Sequence, residues 1–121
     1  MRLIDLTGQQ AEPITDHGSI DASSARVADG RGDTRVHVVV FDPGGSIGPH
    51  EAGFGQLFVP LVGSGWIAGT DGIAVSISPG SAGFIRRGEV HSKGSATGMT
   101  ALMIQVTDLA VPTRDAGPRA R

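Results

Sequence analysis

The sequence contains four histidines and no cysteine, so thiolate nucleophiles, thiolate metal sites and disulfides are excluded. Histidine is the side chain that titrates near neutral pH, and it serves as a general acid or a general base. Two of the four, His50 and His91, are placed by their local sequence where they can share a site. Pro43-Gly44-Gly45 turns the chain sharply after a strand-like run and leads into His50. Gly53-Phe54-Gly55 then reverses the chain, which sets His50 and Gln56 facing each other across a hairpin. His91 arrives from the end of a later strand. Three polar groups from separated segments, converging inside a barrel lined by Val, Leu, Ile and Phe, make a ligand site. Gln56 either contributes directly or hydrogen-bonds His50 and fixes its tautomer. The plainer alternative is two unrelated core histidines.

The elements that position these residues read as strands. Nineteen glycines and seven prolines weigh against helices, because glycine costs about 1 kcal/mol and proline about 3 kcal/mol in a helix interior. Short Val- and Ile-rich runs bounded by Gly, Pro, Asp and Ser are the pattern of short strands and frequent turns. The clearest run is 34–42, with Val36, Val38 and Val40 on one face and His37, Val39 and Phe41 on the other. Apolar residues on both faces predict a strand buried on two sides. Further strands are expected at 56–62, 65–69, 73–78, 82–85 and 99–107, and a short edge strand at 3–6. Asp71-Gly72 marks a hairpin, and Pro60 marks an edge or a bulge. Residues 7–33 read mostly as loops, with turns at His17-Gly18, Asp29-Gly30 and Arg31-Gly32-Asp33. Seven to nine strands at this spacing predict an all-β antiparallel barrel or jelly roll.

Composition narrows the function classes. A chain of 121 residues is one domain, with a core expected over about 34–107 and a flexible tail over 110–121. Ten basic against twelve acidic residues give a net charge of −2, without the basic stripe of a nucleic-acid binder. No apolar run is long enough to span a membrane, and 1–6 lacks the apolar core of a secretory signal. A cytoplasmic setting is expected, and nine arginines against one lysine hint at a bacterial, GC-rich origin.

Two stretches resemble the paired motifs of the cupin family. The first motif runs Gly, five residues, His-x-His, three or four residues, Glu, six residues, Gly. Here it reads Gly44, His50, Ala52 at the second His position, Gln56 at the Glu position, and Gly63. The second runs Gly, five residues, Pro-x-Gly, two residues, His, three residues, Asn. Here it reads Gly80, Arg86 at the Pro position, Gly88, His91, and Ser95 at the Asn position. The resemblance covers about 36–106. It implies a cupin-like β-barrel, commonly a homodimer, with a divalent ion (Zn, Fe, Ni, Mn or Cu) held in the barrel by His50, Gln56 and His91. With alanine and glutamine at two of the four usual metal positions, that ion would be weakly held, because imidazole is a good ligand for these metals and a neutral amide a poor one.

The expected function is therefore a small-molecule-binding cupin of bacterial metabolism with His50 and His91 as catalytic groups, of isomerase, cyclase, lyase or oxygenase type. The rivals are a non-catalytic ligand-binding or sensory barrel without metal, and a purely structural dimer. His37, on the supposedly buried strand, is an outside candidate for a replacement ligand, and more simply a packed, hydrogen-bonded histidine. Phe54, Phe58, Trp66, Phe84, Met99 and Met103 either line a cavity or form plain core. Arg86-Arg87 reads as a solvated pair near the barrel mouth, with Arg86 favouring an anionic ligand only if it points inward.

Overall fold

The structure, a computed structural model, describes residues 1–112. Among them are eleven strands and no helix: β1 (Arg2–Asp5), β2 (Glu12–Pro13), β3 (Ser23–Ser24), β4 (Asp29–Phe41), β5 (Ser46–Glu51), β6 (Gly55–Gly63), β7 (Gly65–Ala68), β8 (Ala74–Ile77), β9 (Ser81–Ile85), β10 (Val90–Gly94) and β11 (Met99–Ala110). None of the described residues forms a helix long and apolar enough to cross a membrane. A five-stranded sheet has the order β1-β9-β6-β11-β4, and a four-stranded sheet the order β5-β10-β7-β8. Every pairing is antiparallel. The tail expected at 110–121 falls almost wholly outside the described residues, with Ala110 closing β11.

The two sheets face each other across one core. Phe41, Phe58, Ile85, Met99 and Ala101 come from the five-stranded sheet, and Ile67 and Ile77 from the other. This interdigitation of alternate residues from two facing sheets is how a jelly roll buries apolar surface. A second cluster, Ile4, Leu57 and Phe84, lies on the outer face of the five-stranded sheet, where Leu6, Val27 and Ala28 from the long N-terminal segment cover it.

Several strands depart from the sequence expectation for identifiable reasons. β4 is an edge strand, not one buried on two sides. Phe41 and Val39 reach the core, whereas Val36, Val38 and Val40 on the opposite face are 59%, 62% and 66% exposed. His37 is exposed as well, so it is not a packed barrel histidine. Asp29-Gly30 and Arg31-Gly32-Asp33 are not turns but part of β4. The register against β11 shifts between Val106 and Asp108, Gly32 has φ +94°, and the Asp33 backbone N–H donates to Thr107 Oγ1 at 3.0 Å. That is a β-bulge, in which glycine takes the left-handed conformation. Pro60 lies in a central strand, next to a register shift of β6 against β11, so the bulge half of its reading holds. The Asp71-Gly72 hairpin forms between β7 and β8, with Gly72 at φ +74°.

Within the four-stranded sheet the backbones of β7 and β10 approach closely at Gly65. A Cβ built on Gly65 would fall on the Gly94 carbonyl oxygen and lie 2.8 Å from Met99 Cε. Gly65→Ala should therefore destabilise the fold by about 2–3 kcal/mol through overpacking. Gly53→Ala, where a Cβ meets nothing within 4 Å, should change stability by less than about 1 kcal/mol. Urea unfolding of the two variants checks the contrast.

Candidate active site in the barrel interior

The two motif histidines come together, on strands the sequence reading did not mark. β5 and β10 carry mostly polar residues, so neither shows the apolar alternation by which a strand is read. They pair antiparallel with His50 directly opposite His91. The ring centroids are 4.4 Å apart and the planes tilted by 53°. His91 is 1% exposed, whereas His50 is solvent-exposed. The register shifts just beyond the pair, Lys93 lying opposite Ile47. This leaves Gly48 and Pro49 in a bulge on β5, and the Gly48 carbonyl oxygen lies 2.9 Å from His50 Nδ1.

Gln56 is buried, but it does not face His50 across a hairpin. β5 belongs to the four-stranded sheet and β6 to the five-stranded one, so residues 52–54 carry the chain between sheets. Ala52, at the position the resemblance allots to a second histidine, is 5% exposed within the core cluster. Arg86 and Arg87 are exposed, as expected of a solvated pair. Phe58 and Met99 are core, Met103 packs against them, and Phe84 belongs to the outer cluster.

The residue that organises the site is Lys93, which the sequence reading passed over. It is the only lysine in the chain and is 1% exposed. Side chains alternate along a strand, so Lys93 shares the inward face of β10 with His91. Its Nζ donates to Gln56 Oε1 at 2.8 Å and lies 3.0 Å from His91 Nδ1. It also sits 5.0 Å from the centroid of the Phe58 ring, within cation–π range. The signal was available: a strand reading of 90–94 puts residues 91 and 93 on one face.

These contacts fix the tautomers. An ammonium only donates, so His91 Nδ1 accepts and neutral His91 carries its proton on Nε2. That Nε2 is buried without a hydrogen-bond partner. A backbone carbonyl only accepts, so His50 Nδ1 donates to Gly48, and neutral His50 presents a bare lone pair at Nε2. The adjacent rings thus offer one N–H donor and one basic nitrogen.

The same hydrogen bonds decide whether these residues suit the divalent ion that the resemblance implies. A metal needs free lone pairs. Gln56 Oε1 and His91 Nδ1 both face the Lys93 ammonium, His91 Nε2 holds a proton, and the Ala52 methyl has nothing to offer. His50 Nε2 is the one imidazole nitrogen of the pair left free, and a metal ion reaching the remaining lone pair of Gln56 Oε1 would sit beside an ammonium. Among the described residues no three His, Cys, Asp or Glu side chains are grouped to hold a metal ion. The site as folded suits an ammonium and does not fit a divalent ion.

Burial and charge set the titration of the pair. Desolvation, then the nearby Lys93 charge, then His50, push the His91 pKa down to about 4, with Glu89 opposing weakly. Burial pushes Lys93 down to about 8. An unfolded histidine takes up a proton near pH 6.5, which folded His91 refuses until about pH 4. Stability should therefore fall as pH drops through this window, by about 3 kcal/mol at most from this group. Lys93 has the complementary effect: an unfolded lysine keeps its proton until about pH 10.4, so stability should rise between pH 8 and that value. Urea midpoints from pH 7 to 4.5 should show a steep loss in the wild type and a shallower one in His91→Gln. Equal slopes would mean that His91 protonates freely in the folded protein.

The chain has the cupin fold, a double-stranded β-helix. No family model matches the sequence, and no curated protein matches it. Solved structures do. A cupin superfamily protein from Desulfitobacterium hafniense is 20% identical with a TM-score of 0.57, over 89% of this chain and 100% of that one. A cupin-like protein from Thermotoga maritima is 22% identical with a TM-score of 0.58, over 65% of this chain and 64% of that one. An RmlC-like cupin family protein from Methanocaldococcus jannaschii is 8% identical with a TM-score of 0.58, over 82% and 90%. At these identities the likeness is one of fold.

Proposed function

We propose that this protein is a metal-independent small-molecule cupin in which His50 and His91 act as an acid–base pair on a carbonyl compound. The observation that carries the reading is the complementary tautomer pair: two imidazoles 4.4 Å apart across β5 and β10, one a donor at a buried, unpartnered Nε2, the other basic at Nε2. His91 Nε2–H donates to the substrate carbonyl oxygen and stabilises negative charge developing there. His50 Nε2 removes a proton from the adjacent carbon, and its exposure lets it exchange that proton with water. The reaction class is enolisation, and thus isomerisation or elimination. Lys93 and Gln56 hold His91 in the donor tautomer. Absence of cysteine and the arginine-rich composition support a bacterial cytoplasmic setting.

Incubating small aldehydes and ketones with the protein in D2O and following C–H exchange by NMR tests this. Exchange should be catalysed, should survive EDTA, and should fall by about 10²–10⁴-fold in His50→Gln, the range for loss of a general base. Exchange abolished by EDTA would replace this mechanism with a metal-dependent one. Exchange no faster than buffer would leave the rival reading, a ligand-binding barrel.

The partner we propose is a second copy of this chain. Beyond the part that Leu6, Val27 and Ala28 cover, the outer face of the five-stranded sheet carries the exposed apolar residues Val36, Val38, Val40 and Val62, at the ends of rows that cross β4, β11 and β6. Val38 and Val62 are 62% and 68% exposed. β4 is also an unpaired edge among the described strands, and such an edge invites pairing. Light scattering should give a dimer for the wild type and a monomer for Val38→Glu. A wild-type monomer at micromolar concentration would exclude the interface.

A further inference from the structure

The acid–base pair does not by itself account for a full positive charge inside the barrel. Lys93 is 1% exposed, and its polar partners, Gln56 Oε1 and His91 Nδ1, are both neutral. Lys93 makes no ion pair with a carboxylate among the described residues. A buried ammonium is ordinarily paired, because desolvation without a countercharge is expensive. Glu89, the acidic group that acts on His91, is engaged elsewhere: it pairs with the Met1 amine and accepts from the Arg86 backbone N–H at 3.1 Å. The barrel therefore holds a positive charge with no negative partner, next to a buried N–H donor that is also unpartnered.

We propose that Lys93 is the built-in cation of this site and that the site selects small carboxylates, with a ligand carboxylate oxygen accepting from His91 Nε2–H and the Lys93 ammonium supplying the countercharge. This deepens the acid–base reading by naming its substrate class, carbonyl compounds with a carboxylate on the adjacent carbon, whose carbonyl and carboxylate oxygens lie side by side and share the one His91 Nε2–H. The ammonium reaches the ligand through His91. Its N–H groups are already directed at Gln56, at His91 and toward the Phe58 ring, so it orients and charges the donor instead of replacing it. The positive field that disfavours a proton on His91 is the field that favours an anion against it.

One lysine in the chain makes the test direct, because 15N-lysine labels a single side-chain amine. Pyruvate and acetate would be titrated against pyruvamide and acetamide, their neutral isosteres. The carboxylates should bind at least tenfold more tightly than the amides and shift both the Lys93 Nζ and His91 Nε2 resonances. In Lys93→Met the preference should collapse to within about twofold. Amides binding as well as carboxylates in the wild type would overturn the inference and leave the acid–base pair standing. Carboxylates that bind without moving the Lys93 resonance would overturn it too, by placing them at another site. Binding of neither class would overturn it, and D2O exchange on neutral ketones would then decide the acid–base reading separately. If Lys93→Met does not fold, the wild-type comparison of acid with amide still decides.

Discussion

The interior of this barrel depends on how one buried ammonium is accommodated. Lys93 joins the two sheets through polar contacts, since it projects from β10 in the four-stranded sheet and donates to Gln56 on β6 in the five-stranded one. The energetic demand of that arrangement is high. A buried amine keeps its charge only if its donors are met, and here an amide oxygen, an imidazole nitrogen and an aromatic face meet them. The remaining cost appears as the lowered affinity of Lys93 for its proton. In return the ammonium removes an ambiguity from His91, whose proton must then sit on the other nitrogen.

From that contact the chemistry of the site follows. His91 is a donor because of what lies behind it. His50 is an acceptor because the β5 bulge brings the Gly48 carbonyl to its other nitrogen. Neither assignment needs an external ion. The glutamine at position 56 is also rationalised: a carboxylate there would form a buried ion pair with Lys93, while the amide accepts the hydrogen bond and leaves the positive charge uncancelled. The alanine at position 52 packs in the core. The departures at positions 52 and 56 and the lysine are parts of one arrangement, in which a covalently tethered cation stands among the positions that the cupin resemblance allots to a metal ion.

Much of the framework was legible in the sequence. The strands whose inward residues are apolar, β6, β7, β9 and the start of β11, were read within one or two residues, because alternation against a core is a local pattern. The glycine spacing of the two motifs carried the barrel and brought His50 and His91 to the same place. β5 and β10 were not legible as strands, since their inward residues are the polar ones that form the site. β4 is misleading in sequence for the opposite reason: Val36, Val38 and Val40 look like core, and whether an apolar row faces a core or the outside depends on the strand order of the sheet. The same nonlocal pairing turned Arg31-Gly32-Asp33 from a turn into a bulge.

The sequence by itself determined an all-β chain, the turns at His17-Gly18 and Asp71-Gly72, the absence of thiol chemistry and the convergence of two histidines. These rest on backbone conformation, residue type and short-range periodicity, which act over a few neighbouring residues. Only the tertiary structure decided that Gln56 serves Lys93 and not His50, that His37 stays exposed to solvent, and that the lone lysine lies within. Those outcomes depend on which strands pair and on how much water each side chain loses. Burial is a property of the packed sheets, and it converts an ordinary solvated lysine into the charge around which the site is arranged.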